Sequence, residues 1–384
     1  MKPLKNDTRP NQTSDRVLRV VVTSDQHNGH SNTPTEKVLF ALSQAYSDSV
    51  LEETDLALLT GDFFDHDLSM SQKDVSSIYF WILDFLERCA KWNVIVRVLE
   101  GTPSHDYRQP KWFGDIAFSH RLPVDVRYVD KLSIEHIEPL GIDVLYIPDE
   151  WRVKCEDTKL EVAELLAVQG LAQVDLVAMH GCFPHQFPKF LHARIDCHDP
   201  VYYTGIARHC VCIGHVHTFS QYKNILVPGS IERLTHGQEE PKGHLHLTLN
   251  LTNPKKNVYT FIENIHATKY VTFKLNNESM SVHNYRLANL IQTLPAGSHI
   301  RLEGSNGHPF AETLKELKDN HSIFIWSYKK TDNEKPINVE ERLSEQLDIG
   351  ESLPNLAANL KELVSQRVNA DPDVLSILEE CMNV

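Results

Sequence analysis

Short β-branched runs alternate with segments whose apolar residues recur at helical spacing through the first half of the chain. Residues 17–23 and 56–60 are predicted strands, and residues 35–53 between them are a predicted helix. The same order returns further along, with predicted helices at 75–90 and 159–169 and predicted strands at 93–99, 144–147 and 174–179. Strands that alternate with helices build a sheet covered by helices, so the pattern predicts an α/β fold.

Acidic and histidine side chains stand just after the predicted strands. They are Asp25, His27, Asp62, His105, His180, His215 and His217. In open α/β sheets, ligands bind beyond the carboxyl ends of the strands, so we expect these side chains to converge. Asp25 and His27, like His215 and His217, are two residues apart, which lets each pair present two ligands together at a strand end. Asp65 follows Asp62 closely enough to orient a neighbouring histidine.

These residue types point to bound metal. Mixed aspartate and histidine ligation suits Mn²⁺, Fe or Zn²⁺, and the ligands are numerous enough for two ions that share one carboxylate. Two ions about 3.5–4 Å apart activate water at neutral pH and stabilise both oxygens of a phosphoryl substitution. A single D-x-H or H-x-H pair is more often a solvated pair or a satisfied buried group than a metal site. The whole series, placed after successive predicted strands, predicts a two-metal centre.

The pattern also predicts the division of the chain. Residues 1–17 are a polar tail, and residues 18–262 form the domain described above. Residues 263–330 are predicted to form a small second α/β domain, with strands at 270–275, 299–302 and 322–328 and helices at 282–294 and 310–319. Residues 331–384 are predicted to be a linker and helical tail. The charged linker covers 329–335, and the helices cover 339–347, 356–368 and about 373–381.

Charge and cysteine content exclude several classes of protein. The 384 residues carry a formal net charge of −14. This charge argues against a protein whose whole surface binds nucleic acid, but it allows a local basic groove. Residues 339–384 hold ten acidic and three basic residues, so this tail contributes −7. The seven scattered cysteines, with no C-x-x-C pair, indicate a reducing cytoplasm. Cys210 and Cys212 are predicted to be buried small hydrophobes rather than zinc ligands with Cys197 and His198. No apolar run is long enough to cross a membrane.

The order of the motifs resembles the calcineurin-like metallophosphoesterase superfamily. The motifs are Asp25-Gln26-His27, the G-D-x-x-D of Gly61 to Asp65, the segment from Gly101 to His105 and Asp106, His180-Gly181, and Gly214-His215-Val216-His217. A further stretch, Pro228-Gly229-Ser230-Ile231-Glu232-Arg233 followed by Lys242-Gly243, resembles the P-G-S-x-E-R segment of SbcD-type DNA repair nucleases, which include subunits of phage recombination endonucleases.

The resemblance implies a metallophosphoesterase β-sandwich flanked by helices, with a small α/β capping domain. It implies that Asp25, His27, Asp62 and His217 hold one metal and that Asp62, His180 and His215 help to hold the other. Both ions are expected to be Mn²⁺. His105 would protonate the leaving oxygen as a general acid.

Ser104 stands where the family usually has an asparagine that completes the second metal site. Three alternatives are open for it. Ser104 binds the metal directly, a water takes the place of the amide, or the second site is weak and fills only with substrate.

The function that the resemblance implies is that of the DNA exonuclease and endonuclease subunit of an SbcCD-like repair or recombination complex. Tyr107, Arg108 and Lys111 combine cations with an aromatic ring beside His105, as a DNA-contacting surface would. The C-terminal helices would bind the coiled coil of an SbcC-type ATPase, and the protein would form a homodimer in the cytoplasm, that of the host if it is phage-encoded. The alternatives are a phosphatase or small-molecule phosphodiesterase, and a non-catalytic scaffold for DNA ends or the ATPase.

Overall fold

The computed structural model describes residues 16–331, except residues 70, 150, 151, 153, 193, 194 and 306. It confirms a mixed α/β fold, in which sheets are flanked by helices. The strands are β1 (Val17–Thr23), β2 (Leu56–Leu59), β3 (Ile95–Leu99), β4 (Val126–Val129), β5 (Ser133–Ile137), β6 (Ile142–Ile147), β7 (Val174–His180), β8 (Ala207–Gly214), β9 (Ser220–Tyr222), β10 (Ile225–Val227), β11 (Gly243–Asn250), β12 (Val258–Glu263), β13 (Tyr270–Lys274), β14 (His299–Ser305) and β15 (Ile325–Thr331).

The helices lie between these strands. They are α1 (Thr35–Ala45), α2 (Asp48–Leu51), α3 (Lys73–Trp92), α4 (Pro103–Asp106), α5 (Trp112–His120), α6 (Cys155–Val168), α7 (Pro200–Ile206), α8 (Met280–Thr293), α9 (Pro309–Glu312) and α10 (Leu314–Asn320). Among the described residues, no helix has the length and apolar character needed to span a membrane.

Two six-stranded sheets have parallel strands at their centres. The first has the order β12-β11-β1-β2-β3-β4, in which β1, β2, β3 and β4 run parallel to one another and β11 is antiparallel to β1. The second has the order β5-β6-β7-β8-β10-β9, with parallel pairing from β6 through β10. The carboxyl ends of β1, β2 and β3 therefore meet at one edge of the first sheet, and those of β7 and β8 meet at one edge of the second.

Buried apolar clusters define the layers of the fold. Val20 of β1 and Val144 of β6 belong to one cluster, so the two sheets stack face to face. Val21, the next residue of β1, belongs instead to a cluster with Ile82 of α3 on the opposite face of the first sheet. Val177 of β7 packs on the side of α6 and α7. Successive strand residues therefore face different layers, as the period of two in a strand requires.

A third sheet lies further along the chain. Its strands are parallel in the order β13-β14-β15, and they share an apolar cluster with α8 and α9 that includes Phe273, Leu302 and Phe310. This strand and helix alternation is the one expected for residues 263–330. The boundaries 18–262 and 263–330 remain predictions.

One predicted helix is two helices in the structure. The continuous helix expected at residues 35–53 is wrong, because α1 ends at Ala45 and α2 begins at Asp48. Ser47 adopts an extended backbone conformation, and the fully buried Tyr46 places its hydroxyl 2.8 Å from Thr23 Oγ1 on β1. Burial of this tyrosine against the sheet outweighs the helical spacing of the sequence.

The last described strand corrects a second expectation. Residues 329–331 were expected in a charged linker, but they pair with β14 as the end of β15, which begins at Ile325 rather than at residue 322. Backbone hydrogen bonds to β14 hold the lysines in the strand despite their charge. The helix expected at 310–319 is likewise interrupted at Thr313. The rest of the linker, the tail helices and residues 1–15 lie outside the described residues.

Candidate metal centre

Two groups of aspartate and histidine side chains lie at the carboxyl ends of the central strands. The first group is Asp25, His27 and His217, and the second is Asp62, His180 and His215. Within each group, one ligand atom per side chain lies within 4.8 Å of the others. All of these residues except His215 are buried, and none of the buried ones is more than 2% exposed. The structure thus brings six of the seven predicted ligands into two groups, with Asp62 in the second group only, whereas the resemblance implies a place for it in both sites.

The two groups adjoin through Asp62. Its Oδ2 atom lies 3.2 Å from His180 Nε2 and 3.8 Å from His27 Nε2. Asp62 therefore belongs to the second group and also faces a nitrogen of the first.

Backbone hydrogen bonds between the ends of β1 and β2 fix this arrangement. The Asp25 N–H donates to Gly61 O at 3.1 Å, and the His27 N–H donates to Asp62 O at 3.0 Å. Asp25, His27, Asp62 and His215 all have positive φ angles, at 52°, 48°, 52° and 101°. Non-glycine residues rarely adopt this conformation, and such strain concentrates at functional sites.

Gly61 permits the close approach of the two sheets at this point. Its φ is +94°, and a Cβ atom added there would lie 2.3 Å from His180 Nδ1 and 2.7 Å from Gly101 Cα. No other residue type fits this position, because any side chain would displace either the His180 ring or the turn after β3.

A chain of hydrogen bonds orients the first group. Gln238 Oε1 accepts the Leu234 N–H at 3.1 Å, which directs Gln238 Nε2 to His217 Nδ1 at 2.9 Å. The Nε2 atoms of His217 and His27 are 3.1 Å apart, and His27 Nδ1 lies 3.2 Å from Asp65 Oδ1. An amide N–H can only donate, so His217 Nδ1 accepts and His217 Nε2–H donates to His27, whose Nδ1 faces the Asp65 carboxylate.

The surroundings set the charge of each member of this group. Burial, together with His27 and Lys242, holds the pKa of His217 well below its usual range, so this ring is neutral, as a ligand must be. Burial alone would raise the pKa of Asp65, but its contacts with His27 outweigh burial and lower the pKa to about 2.

Asp25 carries a buried oxygen without a partner. Burial, with Asp62 nearby, raises the pKa of Asp25. Its Oδ1 atom accepts the His215 N–H at 2.9 Å, whereas its fully buried Oδ2 atom has no hydrogen-bond partner. A bound cation would satisfy this oxygen, which is otherwise costly to bury.

The second group is held in a charged form. His180 Nδ1 donates to Thr60 O at 2.7 Å, and His180 Nε2 faces Asp62 Oδ2. Both partners are acceptors, so both ring nitrogens carry hydrogen. Burial alone would lower the pKa of His180, but the Asp62 carboxylate outweighs burial and raises the pKa to about 10. Burial alone would raise the pKa of Asp62, but His180 and the other nearby histidines outweigh burial and hold this pKa well below its usual range.

Thr102, which the sequence analysis missed, contacts the second group directly. Its Oγ1 atom donates to Asp62 Oδ2 at 3.1 Å and lies 3.4 Å from His180 Nε2. Ser104, the predicted ligand, is exposed in α4, and its role stays a prediction. The signal that could have identified Thr102 is its position after Gly101 at the end of β3, which is the same kind of position that singled out Asp25 and Asp62.

His105 lies beside the first group and is half-buried. Its ring meets that of His27 edge to face, with centroids 4.8 Å apart and an interplanar angle of 84°. His105 Nδ1 donates to the backbone carbonyl of Asp65 at 2.7 Å. Asp65 therefore orients two histidines, one through its carboxylate and one through its carbonyl, which extends the role predicted for it.

Ser230 of the P-G-S-x-E-R segment and Lys242 beyond it bind the backbone carbonyl of His217. The Ser230 N–H donates to His217 O at 3.1 Å, and Lys242 Nζ donates to the same carbonyl at 2.7 Å. Glu232 Oε1 accepts the N–H of Arg233 and of Thr268, each at 2.7 Å, so the segment also holds the chain that leads into β13. The sequence pattern identified this segment without giving the roles of Lys242 and Gln238.

The predicted substrate-binding residues lie on the turn that follows His105. Tyr107 is 54% exposed, and Arg108 and Lys111 are exposed. Tyr107 and Arg108 have φ angles of 48° and 60°, and the Arg108 N–H donates to Glu100 Oε1 at 2.8 Å. Their side chains are therefore available to a ligand, and their contact with substrate remains a prediction.

The donors of both groups fit a divalent cation. Carboxylate oxygens and imidazole nitrogens converge in buried positions, and Asp25 Oδ2 lacks a partner. This donor set suits Mn²⁺, Fe²⁺ or Zn²⁺. Buried aspartate and histidine groups that can bind a metal ion are thus present where the sequence predicted them.

Known proteins give little further information. No protein-family model matches the chain, and no curated protein matches it. The crystal structure of TT1561 of Thermus thermophilus aligns with 64% of this chain and 99% of its own, at 13% identity and a TM-score of 0.38. A second crystal structure covers the same shares, at 14% identity and a TM-score of 0.37. At these scores the two alignments carry no conclusion about fold or function.

Proposed function

We propose that the chain is a metal-dependent phosphodiesterase that cleaves DNA. The observation that carries this proposal is the pairing of two buried Asp/His groups, joined at Asp62, with His105 next to them. Asp25, His27 and His217 would hold one divalent ion, and Asp62, His180 and His215 would hold the other, with Mn²⁺ as the expected metal. When bound, the ions would supply positive charge to the phosphate and lower the pKa of water.

His105 is the residue proposed to move a proton. Its Nδ1–H is held by the Asp65 carbonyl, so a second proton would reside on Nε2. From that atom the imidazolium would protonate the leaving sugar oxygen as the bond to phosphorus breaks. Asp65 orients His27 at the same time, so one residue aligns the proton donor with the first group.

The choice of DNA as substrate is supported by the resemblance of residues 228–233 to SbcD-type nucleases. It is also supported by the exposed Tyr107, Arg108 and Lys111 beside His105, because cations contact backbone phosphates and aromatic rings stack on bases. With a net charge of −14, the isolated chain should bind DNA with modest, salt-sensitive affinity.

The proposed partners follow from the same resemblance. The tail at 339–384 would bind the coiled coil of an SbcC-type ATPase, and two copies of the chain would form a homodimer in the cytoplasm. The apolar residues of the tail at helical spacing, Leu356, Leu360 and Leu363, support the docking proposal.

The test is cleavage of linear and hairpin DNA by the pure chain with Mn²⁺. We expect His217→Ala to lose metal and activity, and His105→Ala to keep metal but lose at least about a hundredfold in rate. His136→Ala, in an exposed histidine of β5 outside both groups, is the matched control and should cleave normally. Undiminished cleavage by both site variants would overturn the proposal.

The alternatives give different outcomes. Efficient turnover of phosphomonoesters or nucleotides without DNA cleavage would identify a phosphatase or small-molecule phosphodiesterase. DNA binding without cleavage, with one metal or none bound, would identify a scaffold, for which the exposure of Ser104 is the favouring observation. Two bound Mn²⁺ with nuclease activity would leave the scaffold without support.

A further inference from the structure

Two cysteines outside the metal groups lie side by side near His180. The Sγ atoms of Cys182 and Cys197 are 3.6 Å apart. The chain leaves the end of β7 at Cys182 and returns at Cys197, and the His198 N–H donates to Cys182 O at 2.9 Å. This backbone hydrogen bond holds the two thiols next to each other across the segment 183–196.

Cys182 lines a cavity of about 190 Å³ that opens beside the second metal group, and the neighbours of Cys197 in sequence, Asp196 and His198, line it too. Its lining includes His180, His215, Cys182 and Asp196. Cys182 is 7% exposed and Cys197 is half-buried, so a small molecule can reach Cys197 first. Phe190, which lies between the two cysteines in the sequence, is 60% exposed.

The contact between the two thiols also favours oxidation of Cys197. The hydrogen bond from the Cys182 thiol lowers the pKa of Cys197 and outweighs the opposing effect of burial. A thiolate is the nucleophilic form of cysteine, and oxidation is selective for accessible thiolates.

We propose that Cys182 and Cys197 are a redox modification site, in which hydrogen peroxide converts the thiol pair into a reversible disulfide. This inference is independent of the proposed nuclease function. Transient disulfides of this kind are the ones found in cytoplasmic proteins, so it also agrees with a reducing compartment.

The chemistry balances in two steps. The Cys197 thiolate attacks one oxygen of the peroxide, the O–O bond breaks, and a sulfenic acid forms while hydroxide leaves and takes up a proton as water. Cys182 then attacks the Cys197 sulfur, the S–O bond breaks, and a second water leaves. The two thiols lose two electrons and two protons in total, and the peroxide is reduced to two waters.

Another thiol pair provides an internal control. Cys210 Sγ and Cys212 Sγ are 3.9 Å apart on β8, but both residues are 0% exposed in the apolar layer between the sheets. A similar separation without access for the oxidant should leave this pair reduced. Cys155 is the thiol that could pair with Cys197 in place of Cys182. Its backbone N–H donates to Asp196 Oδ2 at 2.6 Å, and Asp196 is next to Cys197 in the sequence.

The experiment is peptide mapping of the full chain after treatment with hydrogen peroxide. Free thiols are alkylated in denaturant, and trypsin then cuts without reduction. The sequence places Cys155, Cys182, Cys197 and the Cys210/Cys212 pair in four different peptides, because Lys159, Lys189, Arg194 and Arg208 separate them. We expect one linked pair, 160–189 with 195–208, in most of the protein, and its disappearance after dithiothreitol.

Both Cys197→Ser and Cys182→Ser are tested. Replacement of the buried Cys182 is the one expected to disturb folding, so the variant of the more exposed Cys197 keeps the test valid if Cys182→Ser does not fold. Each should abolish the linked pair, and Cys197→Ser should leave Cys182 alkylated as a free thiol. In the oxidised native protein, cleavage after Lys189 should be slower than in the reduced protein. A link between the peptides of Cys155 and Cys197, a link between two chains, or Cys197 oxidised while Cys182 remains a free thiol would each overturn the proposal.

Discussion

The carboxylate of Asp106 accepts the backbone N–H of Asp62 at 3.0 Å. The same carboxylate accepts the N–H of Phe64 at 2.9 Å and of Gly101 at 2.7 Å, and Asp106 is 0% exposed. One buried side chain therefore joins the turns that follow β2 and β3. These turns carry Asp62 and Thr102, so Asp106 holds the second metal group in place without belonging to it.

Replacement of Asp106 should destabilise the fold. Asp106→Asn turns an amide N–H toward backbone donors, and we expect the free energy of unfolding to fall by about 2 kcal/mol. Asp106→Ala leaves three buried N–H groups without an acceptor and should cost roughly 3 kcal/mol or more. Urea unfolding measures both variants. Asp319→Asn, at an exposed acid of α10, should change stability by less than about 0.5 kcal/mol, and equal stability of all three variants would contradict this role.

Much of the site could be predicted because ligand positions follow strand ends. Asp25 follows β1, Asp62 follows β2, and His180 ends β7, and each strand is marked in the sequence by a short apolar run. Parallel pairing then brings these ends to common edges without further information. Local sequence was sufficient wherever one element alone fixes the position of a residue.

The rest depends on contacts between distant segments. The roles of Gln238 and Lys242 arise from approach to His217, 21 and 25 residues away, and no local pattern marks that approach. The break after α1 likewise depends on the burial of Tyr46 against Thr23. Ser104 was singled out by comparison with a family pattern. In the structure, the side-chain oxygen that contacts Asp62 is that of Thr102.

Thr102 and Ser104 can be separated by substitution. Thr102→Val keeps the shape and the backbone N–H to Asp62 but removes the hydroxyl that contacts Asp62 and His180. We expect the weaker of two Mn²⁺ affinities, measured by titration calorimetry, to fall about tenfold. Ser104→Ala should bind as the original chain does, and Ser104→Asn should bind equally or more tightly. The reverse order, with loss in Ser104→Ala and none in Thr102→Val, would assign the ligand to Ser104.

Metal binding should release a proton from His180. The pKa of this ring is raised to about 10 by Asp62, so the ring is protonated at pH 7, and a metal needs the Nε2 lone pair. Raising the pH removes the competing proton, so the apparent Mn²⁺ affinity should increase by up to about tenfold per pH unit between pH 6 and 8.

Calorimetry in buffers with different ionisation enthalpies measures this release directly. His180→Asn should bind less tightly and release about one proton fewer, whereas the exposed-site control His136→Ala should match the original chain. Equal proton release by His180→Asn and the original chain would show that the proton comes from another group.

Gln238 should determine which nitrogen of His217 faces the metal. Its Nε2 donates to His217 Nδ1, which leaves the ring proton on Nε2, opposite His27 Nε2. A metal at that point needs the other tautomer, with hydrogen on Nδ1, and a carboxylate is the usual acceptor for it. In Gln238→Glu, one oxygen can still accept the Leu234 N–H while the other accepts from Nδ1.

We therefore expect Gln238→Glu to bind its tighter Mn²⁺ about tenfold more strongly than the original chain. Gln238 is only 3% exposed, so the new carboxylate should lower the Tm of the metal-free protein, and Mn²⁺ should raise the Tm of this variant by a larger increment than that of the original chain. Gln238→Leu, of similar size and without polar atoms, should lose affinity instead. Weaker binding by Gln238→Glu than by Gln238→Leu would mean that Nδ1, rather than Nε2, is the ligand atom of His217.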